Sequence, residues 1–220
     1  IRRDIDGGRF NSGEFSRTNL FGRALAFANP DRSRNYAYVE FEDDFQIPSI
    51  QDAAMAFGVK IIRSYHSINE NLINIKEICD SMRKTGYEIP KIAFRPSNLK
   101  DVATLFKESQ SMFKYEHIVT AIGLQGQPSR ILAHLTGSYL TYVSPGELEE
   151  NTAELGHTTP ETLLNLYNFR ELNENTKLFG IAGWPLQKAP AVQILNKGFK
   201  ERNYNAISLP IRSPVIRENL

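Results

Sequence analysis

Pro90-Lys91-Ile92-Ala93-Phe94-Arg95-Pro96 is a short apolar run with one amine inside it. Side chains alternate across a strand, so Lys91, Ala93 and Arg95 share one face while Ile92 and Phe94 share the other. A second such run ends at Ser64-Tyr65-His66. Its parity groups Ile62, Ser64 and His66 and leaves Arg63 on the opposite face, a mild misfit unless it lies at the strand's solvated end. Two inward faces carrying ionisable groups point to a barrel lumen. A lysine held among apolar neighbours loses hydration, its charged form is disfavoured, and a neutral amine becomes available to attack a ketone. A nearby histidine moves protons at neutral pH. The alternatives are an edge lysine that discourages strand pairing and a structural histidine.

The sequence has 220 residues, 41% of them hydrophobic, enough to bury a sizeable core. Its 26 basic and 25 acidic residues leave a net charge of +1 spread along the chain. That gives no field suited to nucleic acid or an anionic membrane, and binding of a small anion stays open. Cys79 is the single cysteine. It reads as the buried side of a helix, and an internal disulfide is excluded. No apolar run reaches bilayer-spanning length. His66, His117, His134 and His157 are scattered, so no metal-ligand spacing is present. The chain opens on Ile1, inside what reads as a strand end, and we expect a fragment of a longer protein.

Apolar β-rich segments alternate with amphipathic ones, the pattern of parallel strands joined by crossover helices. Strands are expected at the opening residues and at 36–41, 59–65, 91–94, 117–122 and 138–143. Helices are expected at 70–84, 99–113 and 128–135, and from Thr159, where threonine caps and Pro160 occupies the first turn. After Asn168 the sequence turns polar, then an apolar strand begins at Lys177. We read residues 1–168 as one domain, 169–176 as a linker, and 177–220 as the start of a second domain with a helix at 192–202 and a strand at 205–210. A strand, helix and strand with no further sheet cannot close its own core.

Four segments in this order resemble the type I 3-dehydroquinate dehydratases: Arg2-Arg3-Asp4-Ile5-Asp6-Gly7-Gly8-Arg9-Phe10, Ile62-Arg63-Ser64-Tyr65-His66, Pro90-Lys91-Ile92-Ala93 and Pro128-Ser129-Arg130. The resemblance covers residues 1–168 and implies an α/β chain, a partial (β/α)8 TIM barrel whose first two strands are missing. It implies Schiff-base dehydration of 3-dehydroquinate to 3-dehydroshikimate in the shikimate pathway, without cofactor. Lys91 would be the Schiff-base lysine and His66 the proton-transfer residue. Asp6 would stand where the family usually has a glutamate that orients the histidine, its carboxylate withdrawn by about 1.5 Å for want of one methylene. Arg2 would line the pocket and Arg130 would grip the substrate carboxylate. Where the family closes its last loop with serine and glutamine, this chain has Ala153 and His157; His157 could donate a hydrogen bond and Thr152 could supply the hydroxyl.

The tail, Phe179-Gly180-Ile181-Ala182-Gly183-Trp184-Pro185 with Asn196 and Asn205-Ala206-Ile207-Ser208-Leu209-Pro210, resembles the opening of a shikimate dehydrogenase substrate domain, implying a bifunctional fusion. The serines that normally hold shikimate fall at Ala189 and Ala191, and NADP would bind a nucleotide domain beyond Leu220. The resemblance allows a homodimer and implies a cytoplasmic protein, or a plastid one in a plant. A Schiff-base aldolase on the same barrel and a decayed, non-catalytic binding module are the competing readings.

Overall fold

In the computed structural model, which describes residues 1–26, 36–68, 74–146, 153–184, 186 and 189–213, four parallel strands form one sheet in chain order. They are β1 (Tyr38–Glu42), β2 (Lys60–Ser67), β3 (Ile89–Phe94) and β4 (Ile118–Ala121). The register sets Glu42 beside Ser64, Ser64 beside Lys91, and Lys91 beside Ile118. All six residues of β3 are buried, as in a parallel strand covered on both faces.

Helices cover the outer face. Helix α1 spans Gly13–Ala26 and α2 spans Pro48–Ala56, and they pack Phe21, Leu25, Ile50 and Ala54 against Phe41 and Ile61. Helix α3 (Ile75–Met82) buries Ile75, Cys79 and Met82, the i, i+4, i+7 stripe of an amphipathic helix. Helix α4 (Leu99–Ser109) starts on a capping box: Asn98 Oδ1 accepts from the amides of Lys100 and Asp101, and the Asp101 carboxylate accepts from the Asn98 amide. Together they seal Ile92, Phe94 and Val119. Each such buried side chain stabilises the fold by about 1.5–3 kcal/mol relative to exposure. Ile92 and Phe94 thus pack outward, leaving the other face for Lys91 and Ala93.

Two of the six expected strands are only isolated bridges, Arg3 with Phe10 and His117 with Ser138. At the second, Ser138 Oγ accepts from the Val119 amide at 3.0 Å and donates to its carbonyl at 3.1 Å, so a side chain takes bonds that a ladder would use. At the first, the chain doubles back through Gly7 at φ 77°, and a β-carbon on Gly8 would lie 2.2 Å from the Arg2 carbonyl. Arg63 also departs from expectation: it is 2% exposed, in mid-strand. Its Nη1 donates to the carbonyls of Glu42 and Phe45, and its guanidinium lies 5.6 Å from the Phe41 ring, so the charge is satisfied without solvent.

Helix Pro160–Asn165 begins as read, with Thr159 Oγ1 accepting from the Thr162 amide. Beyond it, β5 (Lys177–Gly183) and β6 (Ala206–Arg212) pair in parallel across helix Pro190–Glu201. Among the described residues this βαβ unit has no separate core. Val192, Ile207 and Leu209 share one apolar cluster with Ile131, Leu132, Leu163 and Tyr167, which resolves how so short a unit is buried. Residues 169–176 are tied into it: Thr176 Oγ1 accepts from the Asn173 amide and donates to Asn205 Oδ1 at 2.8 Å.

Candidate active site

A cavity of about 240 Å³ opens on the inward face of β3 and β4, lined by Arg2, Asp6, Lys91, Arg95, Arg130, Tyr142 and His157 with small and apolar neighbours. That is just below the range of drug-sized sites, roughly 300–1,000 Å³, and suits a small metabolite. Lys91, 2% exposed, projects into it from β3. Its Nζ donates to both oxygens of Glu40, each at 2.8 Å, and lies 4.1 Å from the centre of the Tyr142 ring. Burial drives the amine down to about 8; Arg2 and Arg130 push the same way, and the Glu40 charge limits the fall. The Glu40 carboxyl is itself pushed up by burial, yet the Lys91 charge and its hydrogen bonds hold it below the ordinary value.

His66 projects from β2 with 1% of its side chain exposed, its Nε2 3.7 Å from Glu40 Oε1. Neither ring nitrogen has a hydrogen-bond partner among the described residues. Burial and the positive charges of Arg2 and Lys91 lower it to about 3, so the imidazole is neutral at pH 7 and its lone pair is free. Tyr142 donates to Glu40 Oε2 at 3.2 Å. One carboxylate therefore gathers an amine, an imidazole and a phenol.

Arg130 enters from the last turn of α5 (Gln127–Ile131), a helix buried throughout. The turn is locked by Ser129, whose Oγ accepts from the Ala121 amide and donates to the Gly126 carbonyl. Among the described residues Arg130 Nη2 makes only a long contact to the Leu155 carbonyl at 3.4 Å, and Nε is buried without a partner. Burial lowers the guanidinium to about 10, still charged at neutral pH. His157 follows the turn Ala153–Leu155; burial and Arg130 bring it to about 4.

Of the residues singled out in the sequence, Arg2, Asp6, Lys91, Arg130 and His157 line this cavity and His66 stands beside Glu40. Thr152 lies outside the described residues. Asp6 requires a correction. Its carboxylate accepts from Arg3 Nε at 2.6 Å, and Arg3 also pairs with Asp44. The carboxylate beside His66 is Glu40, because β1 lies next to β2 while Asp6 sits in a turn whose own arginine engages it. Sequence reading missed Glu40 and Tyr142. The available signal for Glu40 was a carboxylate inside Tyr38-Val39-Glu40-Phe41-Glu42, the strand before the histidine strand.

A family model described as type I 3-dehydroquinase matches residues 1–174. The chain is 27% identical over 205 residues to the chloroplastic bifunctional 3-dehydroquinate dehydratase/shikimate dehydrogenase of Arabidopsis thaliana, a match covering 92% of this chain and 32% of that protein. It therefore spans about a third of that relative's length. The crystal structure of the 3-dehydroquinate dehydratase from Aquifex aeolicus superposes with a TM-score of 0.58 at 26% identity, covering 76% of this chain and 70% of that one. The dehydroquinate dehydratase and shikimate dehydrogenase from S. pombe covers 99% of this chain and 40% of its own, with a TM-score of 0.58 at 18% identity, a likeness of fold.

Proposed function

The chain belongs to the type I 3-dehydroquinase family, and from that premise we propose that it carries the catalytic residues of a 3-dehydroquinate dehydratase. The observation that supports this most directly is the Lys91 amine, buried, lowered to about 8 and set beside a neutral imidazole on one shared carboxylate. At pH 7 about a tenth of such an amine is uncharged, against less than about a thousandth of an ordinary lysine. Neutral Lys91 adds to the substrate ketone and expels water to form an imine, which on protonation draws electrons from the adjacent carbon better than the ketone does. His66 takes the proton from that carbon and returns it to the leaving hydroxyl, which departs as water. Hydrolysis of the imine then frees 3-dehydroshikimate and restores the amine.

Glu40 keeps the Lys91 nitrogen in place and compensates the positive charge of the imine stage, and Tyr142 fixes Glu40. Arg130 offers a planar fork to the substrate carboxylate, with Arg2 and His157 on the same wall. Asp6 lines the cavity and holds Arg3. Each step is performed by groups of this chain.

We further read residues 1–168 as part of a (β/α)8 barrel lacking its first two strands, 169–176 as the connection, and 177–220 as the beginning of a shikimate dehydrogenase substrate domain. The parallel β5–β6 pair and the plant bifunctional relative support this. NADP would serve that second activity and enters no step of the dehydration. Borohydride reduction in the presence of 3-dehydroquinate tests the central step: mass spectrometry is expected to find a ligand-derived adduct on the peptide containing Lys91. An unmodified peptide under turnover conditions would remove the covalent mechanism.

A further inference from the structure

One guanidinium of the cavity has no role in that scheme. Arg95 follows β3 at the parity of Lys91 and Ala93 and lines the same cavity from its rim, where it is exposed. No carboxylate among the described residues pairs with it or with Arg2. Its placement is marked by Gly123: a carbon built on that glycine, at φ 93°, would lie 4.0 Å from Arg95 Nη1. The Gly123 amide donates to the Leu155 carbonyl at 3.0 Å, and Arg130 Nη2 contacts that same carbonyl at 3.4 Å. Two guanidiniums thus approach one seam, Arg95 from the rim and Arg130 from the interior. Gly123 puts no side chain between them.

The charges point the same way. Of the two carboxylates at the site, Glu40 is engaged by Lys91 and Asp6 by Arg3. Arg2, Arg95 and Arg130 are left without an anion among the described residues. A carboxylate has two oxygens and about four lone-pair directions, so it can accept two forks at once. We infer that Arg95 is a specificity-determining residue, holding the substrate carboxylate jointly with Arg130 at the Gly123–Leu155 seam. The pocket then selects cyclic ketones that carry a carboxylate on the ring carbon bearing the leaving hydroxyl. This rests on the dehydratase reading.

Steady-state kinetics of the full-length protein with 3-dehydroquinate test it, comparing wild type with Arg95→Met and Arg95→Lys. Arg95→Met is expected to raise KM about tenfold, the loss of roughly one charge-assisted hydrogen bond, with kcat within about twofold. Arg95→Lys is expected to recover part of the affinity by charge alone. Arg95 is exposed, so thermal melting should coincide for all three proteins. A wild-type KM in Arg95→Met, or a fall confined to kcat, in a protein that still turns over, overturns this inference and leaves the dehydratase reading standing. Absence of both turnover and a borohydride-trapped adduct in the wild type overturns the two together.

Discussion

Lys91 on β3 and Lys177 on β5 are both strand lysines lying over a tyrosine ring, 4.1 Å from Tyr142 and 5.1 Å from Tyr204. Their amines shift in opposite directions. Lys177 is open to water, and the hydrogen bond it shares with the Tyr204 hydroxyl, at 2.9 Å, raises it above the ordinary lysine value. Lys91 is buried and falls to about 8 despite a carboxylate at 2.8 Å. Local contacts of similar kind thus give opposite chemistry, and the deciding variable is how completely the strand is covered. β3 is sealed outside by α3 and α4. β5 leaves Leu178 48% and Phe179 43% exposed, so nothing on it can be desolvated enough to become a nucleophile at neutral pH.

The sharpest way to break this comparison is to delete each amine. Lys91→Ala should lower kcat by roughly a thousandfold or more while 3-dehydroquinate still binds through Arg130, and Lys177→Ala should leave kcat within about twofold. Comparable losses would mean that coverage is not what separates them. Acid titration gives the next largest effect. His66 titrates at about 3 when folded and near 6.5 when unfolded. Between those values the unfolded chain binds a proton that the folded chain refuses, so stability falls as pH drops below about 6.5. Urea midpoints measured from pH 7 to pH 4 should decline, and His66→Asn should flatten the slope.

A third prediction concerns pH and rate. Protonated Lys91 cannot attack, so kcat/KM should climb with pH and level off above about 8. Glu40→Gln removes the negative charge that keeps the proton on the amine and should move that limb to lower pH. A limb that stays put would show that Glu40 only positions the amine. The smallest expected effect lies in the β5–β6 region. Asn196 is buried, donates to the Ser208 carbonyl at 3.0 Å and accepts from the Ser208 amide at 2.6 Å. Asn196→Ala leaves both backbone groups unpaired and should cost about 1–3 kcal/mol in denaturant unfolding, with the pH dependence of kcat/KM unchanged.

Much of the site was readable because it is short-range. Parity alone separates Lys91, Ala93 and Arg95 from Ile92 and Phe94, and the Thr159 cap follows from residue type and spacing. Glu40 was not readable. It is 51 positions from Lys91, and Tyr142 is 102 positions from Glu40. Glu42, at the same parity of the same strand, pairs with Arg17 of α1 instead. Nothing local distinguishes the two carboxylates. Arg63 was misjudged for a related reason, since its partners are carbonyls that become available only when β1 and the turn after it come alongside.

The sequence by itself determined which residues share a face, where the helices that start at Leu99 and Pro160 begin, and that an amine and an imidazole stand on neighbouring strands, because periods of 2 and 3.6 residues are properties of the backbone. Tertiary structure decided which carboxylate meets them, that Asp6 turns to Arg3, and that the β5–β6 unit borrows its core from the first region. Those outcomes depend on strand register and burial. Burial sets the pKa of Lys91, and it exists only once the helices have closed over the sheet.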